Sequence, residues 1–165
     1  MKKFLLTIIM IFCLATILKA QDYKTGIGLR FGLTNGLTIK HFFNENTAVN
    51  VLATSRWHGL MFTGLFERQH PLFAVEHLKW YYGAGAHYGH WRGYKNHPWF
   101  SSNKNYNVIG LDAVVGIEYC LTASPISVGI DWKPELNLFG YKGLWIAEGA
   151  ISIRYMFKGG KINIQ

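Results

Sequence analysis

The amino-acid sequence predicts an all-β protein, folded as an eight-stranded antiparallel up-and-down β-barrel. Apolar and polar residues alternate over eight segments, which is the period of a β-strand with two different faces. Short turns join most of these segments, as in a succession of hairpins. The segment 148–157 is the starting point of this interpretation, because Ile153, Tyr155 and Phe157 share one face and Arg154 lies on the other.

The first residues of the chain have the pattern of a secretory signal peptide. Lys2 and Lys3 precede an apolar stretch at 4–18, which is followed by the small residue Ala20. This stretch is shorter than the ~20 residues of a membrane-spanning helix. The chain has 165 residues, so one folded domain is expected. The predicted divisions are a signal peptide at 1–20, a barrel at 21–157 and a short periplasmic tail at 158–165.

The composition predicts a surface that is only partly covered by water. Hydrophobic residues make up 50% and charged residues 16%, against ~25% charged in an average soluble domain. Aromatic residues also make up 16%, which suits two belts at membrane interfaces. Without the lysines of the signal peptide the formal charge falls from +8 to +5, and an exported protein does not ordinarily meet nucleic acid. Cys120 is then the single cysteine, so we expect no intrachain disulfide.

The strands follow one another with recognisable connections. Asn35-Gly36 is a tight hairpin turn, and the connection at 69–77 contains Pro71 and is long enough for a helical turn. The polar segment 91–106 is predicted to be an exposed loop, which is extracellular if both termini are periplasmic. Pro134 lacks an N–H donor, so we expect a β-bulge there. The predicted strands are 25–33, 37–43, 48–56, 59–68, 78–90, 107–121, 126–138 and 148–157.

The charged residues of the strands fall on one parity, six basic and six acidic. A basic residue facing lipid costs ~2 to 4 kcal/mol at the membrane midplane, so this parity is predicted to face the interior. Eight strands enclose a space that side chains fill, which predicts a salt-bridged core in place of an ion pathway. Arg68 is the exception and is placed at the periplasmic rim. The predicted interior charges are Arg30, Lys40, Arg56, Glu67, Lys79, Asp112, Glu118, Asp131, Lys133, Glu135, Glu148 and Arg154.

One interior pair depends on how strands four and five are aligned. A register that is symmetric about residue 73 places Glu67 opposite Lys79. A bulge or helical turn in the connection leaves Lys79 with Glu118 instead.

The chain resembles the small outer-membrane β-barrels of Gram-negative bacteria, the OmpA- and OmpX-like superfamily, over residues 25–157. The resemblance rests on the eight alternating segments and on the stretches 132–136 and 151–157. It implies an integral outer-membrane protein with a structural or surface-interaction role. The implied partners are outer-membrane lipid and the barrel-assembly machinery, which would bind the C-terminal strand, and the implied state is a monomer. The residues 158–165 continue past the terminal aromatic, which departs from the family pattern.

Two kinds of site are weighed against this interpretation. Small barrels that modify lipids need a Ser or His nucleophile system at the rim, but no acyl-hydrolase signature surrounds His87, His90, His97, Asp112 or Ser101-Ser102. The pair His87-x-x-His90 suggests a metal, yet an offset of three points two side chains to opposite faces of a strand. We therefore expect no enzyme activity, no metal and no cofactor.

Two alternatives stay open. A soluble, secreted ligand-binding barrel of the lipocalin type would have an apolar lumen and a polar exterior. An outer-membrane lipid-modifying enzyme is the less favoured alternative. The aromatic and basic cluster at 91–94 and 99–100 is predicted to belong to a membrane-interface belt.

Overall fold

The computed structural model describes residues 23–56, 59–72, 75–91, 105–140 and 142–158. These residues form ten β-strands, and none of them forms a helix long and apolar enough to cross a membrane. The strands are β1 (Tyr23–Gly32), β2 (Asn35–Asn44), β3 (Thr47–Arg56), β4 (Gly59–Pro71), β5 (Leu78–Trp91), β6 (Tyr106–Cys120), β7 (Ile126–Trp132), β8 (Glu135–Phe139), β9 (Gly143–Trp145) and β10 (Gly149–Lys158).

The strands close into a single antiparallel barrel. Each of β1 to β5 pairs with the next strand in sequence, and β6 pairs with β7 over its second half and with β8 over its first half. β10 pairs with β7 on one side and with β1 on the other. Since β7 with β8 and β9 with β10 each form one wall segment, the ten strands make eight walls. The predicted fold class is confirmed.

The seventh wall is interrupted at Lys133 and Pro134. The register against β6 is the same on both sides of this break. Pro134 accepts a hydrogen bond from the Ala113 N–H at 3.0 Å but has no N–H to return. The extra residue lies on the opposite side, where residues 146–148 face 133–134. The expected irregularity at Pro134 therefore exists, but its additional residue belongs to the eighth wall.

The two ends of the barrel differ in what they contain. The end at which β1 begins and β10 ends, here the terminal end, is also where β2 connects to β3, β4 to β5 and β6 to β7. The other end, here the distal end, is where β1 ends and β2 begins, and likewise β3 and β4, β5 and β6, and β8 and β9. The predicted loop at 91–106 therefore starts and finishes at the distal end, although 92–104 lie outside the described residues.

Burial alternates along every wall. In β4, Glu67 is fully buried while its neighbour Phe66 is 54% exposed, and the same alternation runs from Gly59 to His70. Apolar residues dominate the outside, whereas polar and charged residues dominate the inside. The polarity of this barrel is the reverse of that of an ordinary soluble domain.

The interior is narrow, and inward-facing glycines leave space where a neighbouring strand or a large side chain comes close. A Cβ on Gly28 would lie 1.9 Å from the Ile153 carbonyl oxygen of β10. Gly59 and Gly89 leave room for the indole of Trp91, which is 4% exposed and packs with Met61 and Val108. The assignment of Trp91 to an exposed loop and a membrane-interface belt is wrong, because its ring fills the distal lumen.

Candidate functional site: the charged lumen

The interior charges form the most distinctive constellation of the molecule. Ten of the twelve predicted ones are at most 5% exposed. The two others, Arg56 at the distal end and Lys79 at the terminal end, are half-buried. Such burial is tolerated only if each charge is paired and hydrogen-bonded, so the partners decide what the lumen can do.

Glu118 is the centre of the terminal half of the lumen. Its Oε1 accepts hydrogen bonds from Arg154 Nη1 at 3.0 Å and Ser127 Oγ at 2.8 Å. Its Oε2 accepts from Lys40 Nζ at 2.8 Å and Gln69 Nε2 at 2.9 Å. Both oxygens of one carboxylate, 3% exposed, are thus shared between two cations and two neutral donors.

These contacts continue into a closed circuit of side chains that crosses the lumen. Lys40 Nζ also lies 2.8 Å from Glu67 Oε2, and Glu67 Oε1 accepts from Asn50 Nδ2 at 2.9 Å. Asn50 Oδ1 accepts from Thr38 Oγ1 at 2.9 Å, and Thr38 Oγ1 accepts from Arg154 Nε at 3.0 Å. We call this circuit the polar ring. Its members are Thr38, Lys40, Asn50, Glu67, Glu118 and Arg154.

The polar ring is charge-balanced and packs against neighbouring side chains of the lumen. Its two basic and two acidic members balance, and all six side chains are at most 3% exposed. The ring also packs on Tyr81, because Lys40 Nζ lies 4.2 Å from the centre of the phenol. Tyr81 belongs in turn to a buried apolar cluster with Leu52, Leu65 and Val114. The polar ring and Tyr81 therefore fill this level of the lumen with side chains from six strands.

The predicted pairing of Glu67 with Lys79 is wrong. Glu67 lies opposite Gly83, while Lys79 lies opposite Pro71 on one side and Glu118 on the other. The register follows the alternative in which Lys79 aligns with Glu118. The carboxylate of Glu67 is used by Lys40 of β2 instead.

A second level of the lumen contains a bidentate ion pair. Arg30 Nη1 and Nη2 donate to the two carboxylate oxygens of Asp131, each at 2.6 Å. Tyr81 Oη donates to the same carboxylate at 3.0 Å. This fork geometry is the strongest form of ion pair between side chains. It joins β1 to β7, the two strands on either side of β10, and links the polar ring, through Tyr81, to the distal half.

The distal level is organised around His87 and Lys133. The imidazole is 3% exposed, with Nδ1 2.9 Å from Asp112 Oδ2 and Nε2 2.9 Å from Asn137 Oδ1. Lys133 Nζ lies 3.2 Å from Asp112 Oδ1 and also donates to Glu135. Both ring nitrogens of His87 are therefore occupied by neighbours that hold the imidazole in place.

The distal rim contains a small pocket. Glu148 accepts a hydrogen bond from Thr34 and lies 3.7 Å from the Arg56 guanidinium, which sits 5.1 Å from the centre of the Trp145 ring. The pocket between these residues and Trp91 has room for roughly one water molecule. It is too small for a drug-sized ligand, which needs ~300 Å³ or more.

The histidines do not assemble a catalytic or metal site in the described part of the chain. His90 bonds Asn107 on the outside of the wall, while His87 points inward, as the offset of three predicts. No Ser, Thr or Cys of the described residues bonds His87, and no group of three metal-binding side chains exists there. His97, Ser101 and Ser102 lie outside the described residues. Cys120 is a half-buried free thiol.

The sequence interpretation missed the neutral members of the lumen. Thr38, Asn50, Gln69, Tyr81 and Ser127 are all buried and each bonds a charged residue or the polar ring. Their signal was available, because all five share the parity of the interior charges. Parity alone assigns them to the inside, whereas their partners depend on register across the barrel.

Comparison of the chain with protein-family models, with curated proteins and with solved structures finds no match. The class of the molecule therefore rests on its own geometry. It is a closed eight-stranded antiparallel β-barrel with an apolar exterior and a charge-paired, side-chain-filled interior.

Proposed function

We propose that this protein is an integral outer-membrane β-barrel with a structural or surface-interaction role, and that it is not an enzyme. The observation that carries the proposal is the reversed polarity of the wall. Large apolar side chains on all eight walls are about 40 to 65% exposed, while the charges lie inside. Exposing so much contiguous apolar surface to water is unfavourable, whereas lipid removes that cost.

The outer surface has the layers expected of a membrane barrel. Strands of ten residues, tilted by ~40°, cover about 25 Å along the barrel axis, which matches the apolar band of such proteins. Aliphatic residues dominate the middle of the band, and aromatic residues gather towards both ends. The terminal belt contains Phe43, Trp80, Tyr82, Tyr119, Tyr155 and Phe157. The distal belt contains Phe31, Phe62, Tyr88 and Phe139.

The polar ring favours this proposal over a soluble carrier of apolar ligands. A carrier needs an apolar cavity, but this lumen contains ten buried charges and the bonds between them. The same filling gives no passage for ions, so the surface of the barrel is left to interact with partners. We place the distal connections outside the cell, and we propose a monomer that the barrel-assembly machinery recognises through β10.

The test is the behaviour of the full-length chain in membranes and detergent. The proposal predicts recovery in the outer-membrane fraction and migration on a gel that changes on heating, because a folded barrel resists detergent until it is boiled. Recovery as a soluble protein without detergent would contradict it. Loss of acyl chains from outer-membrane lipid on expression would instead support the enzyme alternative.

A further inference from the structure

Arg68 is the one basic or acidic side chain on the outward face of β4. It is exposed, lies directly opposite Thr47 and Tyr82, and shares its parity with the outward Phe66. It stands three residues before Pro71, where β4 ends at the terminal end. Among the described residues no carboxylate forms an ion pair with Arg68. The Arg68 guanidinium is therefore open to an anion that the described residues do not supply.

Three aromatic rings flank Arg68 on the same outer surface. Tyr82 stacks on His70 with ring centres 5.9 Å apart and an interplanar angle of 6°. Trp80 lies 5.3 Å from Tyr82 and 5.4 Å from His70. Rings with an apolar body and a polar tip are typical of the boundary between hydrocarbon and headgroups. The mutual stacking fixes their orientation beside the guanidinium.

The surface changes from Arg68 towards the middle of the barrel. The next outward pair is Phe66 with Ala84, and the pair after it is Gly64 with Ala86. These residues offer only apolar surface, so a charged group at Arg68 adjoins a strip that suits a hydrocarbon chain. A phospholipid has the same succession of a charged and an apolar part, since its phosphate lies at the interface and its acyl chains point to the midplane.

We propose that Arg68, together with His70, Trp80 and Tyr82, binds the phosphodiester of an anionic membrane phospholipid in the leaflet at the terminal end. The proposal rests on the membrane location proposed above. The planar guanidinium matches two oxygens of a phosphodiester, and its charge favours lipids whose headgroup supplies no cation of its own. The phospholipid provides the counter-ion that the described residues do not.

The experiment measures lipid selectivity of the full-length barrel in phosphatidylcholine vesicles. Spin-labelled phosphatidylglycerol and phosphatidylcholine are compared by the motionally restricted fraction of their spectra. We expect the wild-type protein to prefer phosphatidylglycerol, and Arg68→Gln to lower that preference about fivefold, as one basic contact at a membrane surface predicts. Arg68→Lys should lose part of it, because a lysine keeps the charge without the fork.

Lys24→Gln is the matched control, since Lys24 is an exposed cation at the same end on β1. It should leave the preference unchanged, as should an excess of inorganic phosphate. The proposal is overturned if the wild type shows no preference, if Lys24→Gln acts as strongly as Arg68→Gln, or if inorganic phosphate abolishes the effect. The wild-type and Arg68→Lys measurements suffice if Arg68→Gln does not fold. A wild-type chain that fails to enter vesicles refutes the membrane proposal itself, whereas entry without selectivity refutes the lipid site alone.

Discussion

Replacing Glu118 by Gln tests whether the polar ring stabilises the barrel. The substitution preserves the size of the side chain but leaves one acceptor oxygen, whereas both carboxylate oxygens of Glu118 accept hydrogen bonds. If the new amide nitrogen takes the place of Oε2, it faces two donors, Lys40 and Gln69. If it takes the place of Oε1, Ser127 can turn to accept its proton, but Arg154 then loses its carboxylate. Either orientation leaves a buried cation facing a donor.

The expected loss of stability depends on which hydrogen-bond partners Lys40 and Arg154 keep. Lys40 keeps the Glu67 carboxylate at 2.8 Å, whereas Arg154 would be left with the neutral Thr38 hydroxyl at 3.0 Å. Removing one partner of a buried pair costs ~3 to 5 kcal/mol. We expect Glu118→Gln to lower the free energy of unfolding by this amount. Adding Arg154→Met should recover part of the loss, giving a coupling of ~1 to 3 kcal/mol.

The assay is equilibrium urea unfolding of the barrel in lipid vesicles, followed by tryptophan fluorescence. Glu45→Gln is the control, because Glu45 is exposed in the turn between β2 and β3 and its loss should change stability by less than ~0.5 kcal/mol. A cost for Glu118→Gln that equals that of Glu45→Gln, or no coupling to Arg154, would refute the reasoning.

Three further predictions concern the lumen, the distal end and the packing of the wall. The reconstituted protein should show no steady conductance in planar bilayers, and large stable channels would mean that the polar ring does not close the lumen. External protease should cut intact cells within 92–104 and spare the terminal end, whereas cleavage at 44–46 would reverse the topology. Gly28→Ala should cost ~1 to 3 kcal/mol in urea unfolding, because its Cβ would meet the Ile153 carbonyl at 1.9 Å. Gly64→Ala, with nothing within 4 Å of the new Cβ, should be neutral, and equal losses would show that close approach is not the cause.

The fold could be predicted closely because strand parity is local information. Every predicted strand has a counterpart whose bounds differ by a few residues, and Arg68 is the outward exception in both. Local patterns do not determine register. The true alignment of β4 with β5 places Glu67 opposite Gly83, so Lys79 could not pair as predicted.

The ion-pair partners of the interior charges could not be predicted from the sequence, because they also depend on strand register. Lys40 contacts Glu118, 78 residues away, because four successive strand pairings bring β2 to face β6 across the lumen. Trp91 ends the fifth wall and turns inward because Gly59 and Gly89 leave space for its indole. That space is visible only once the neighbouring strands are aligned.

The most direct test of the reversed polarity is the environment of a spin label on the outer wall. In a Cys120→Ser background, a nitroxide is attached at Ile153→Cys in the middle of β10 or at Glu45→Cys in the terminal turn. The reconstituted barrel should give a label at 153 that collides readily with oxygen and rarely with a water-soluble nickel chelate, while the label at 45 shows the opposite order. Equal access of the nickel chelate to both positions would contradict a lipid-facing exterior.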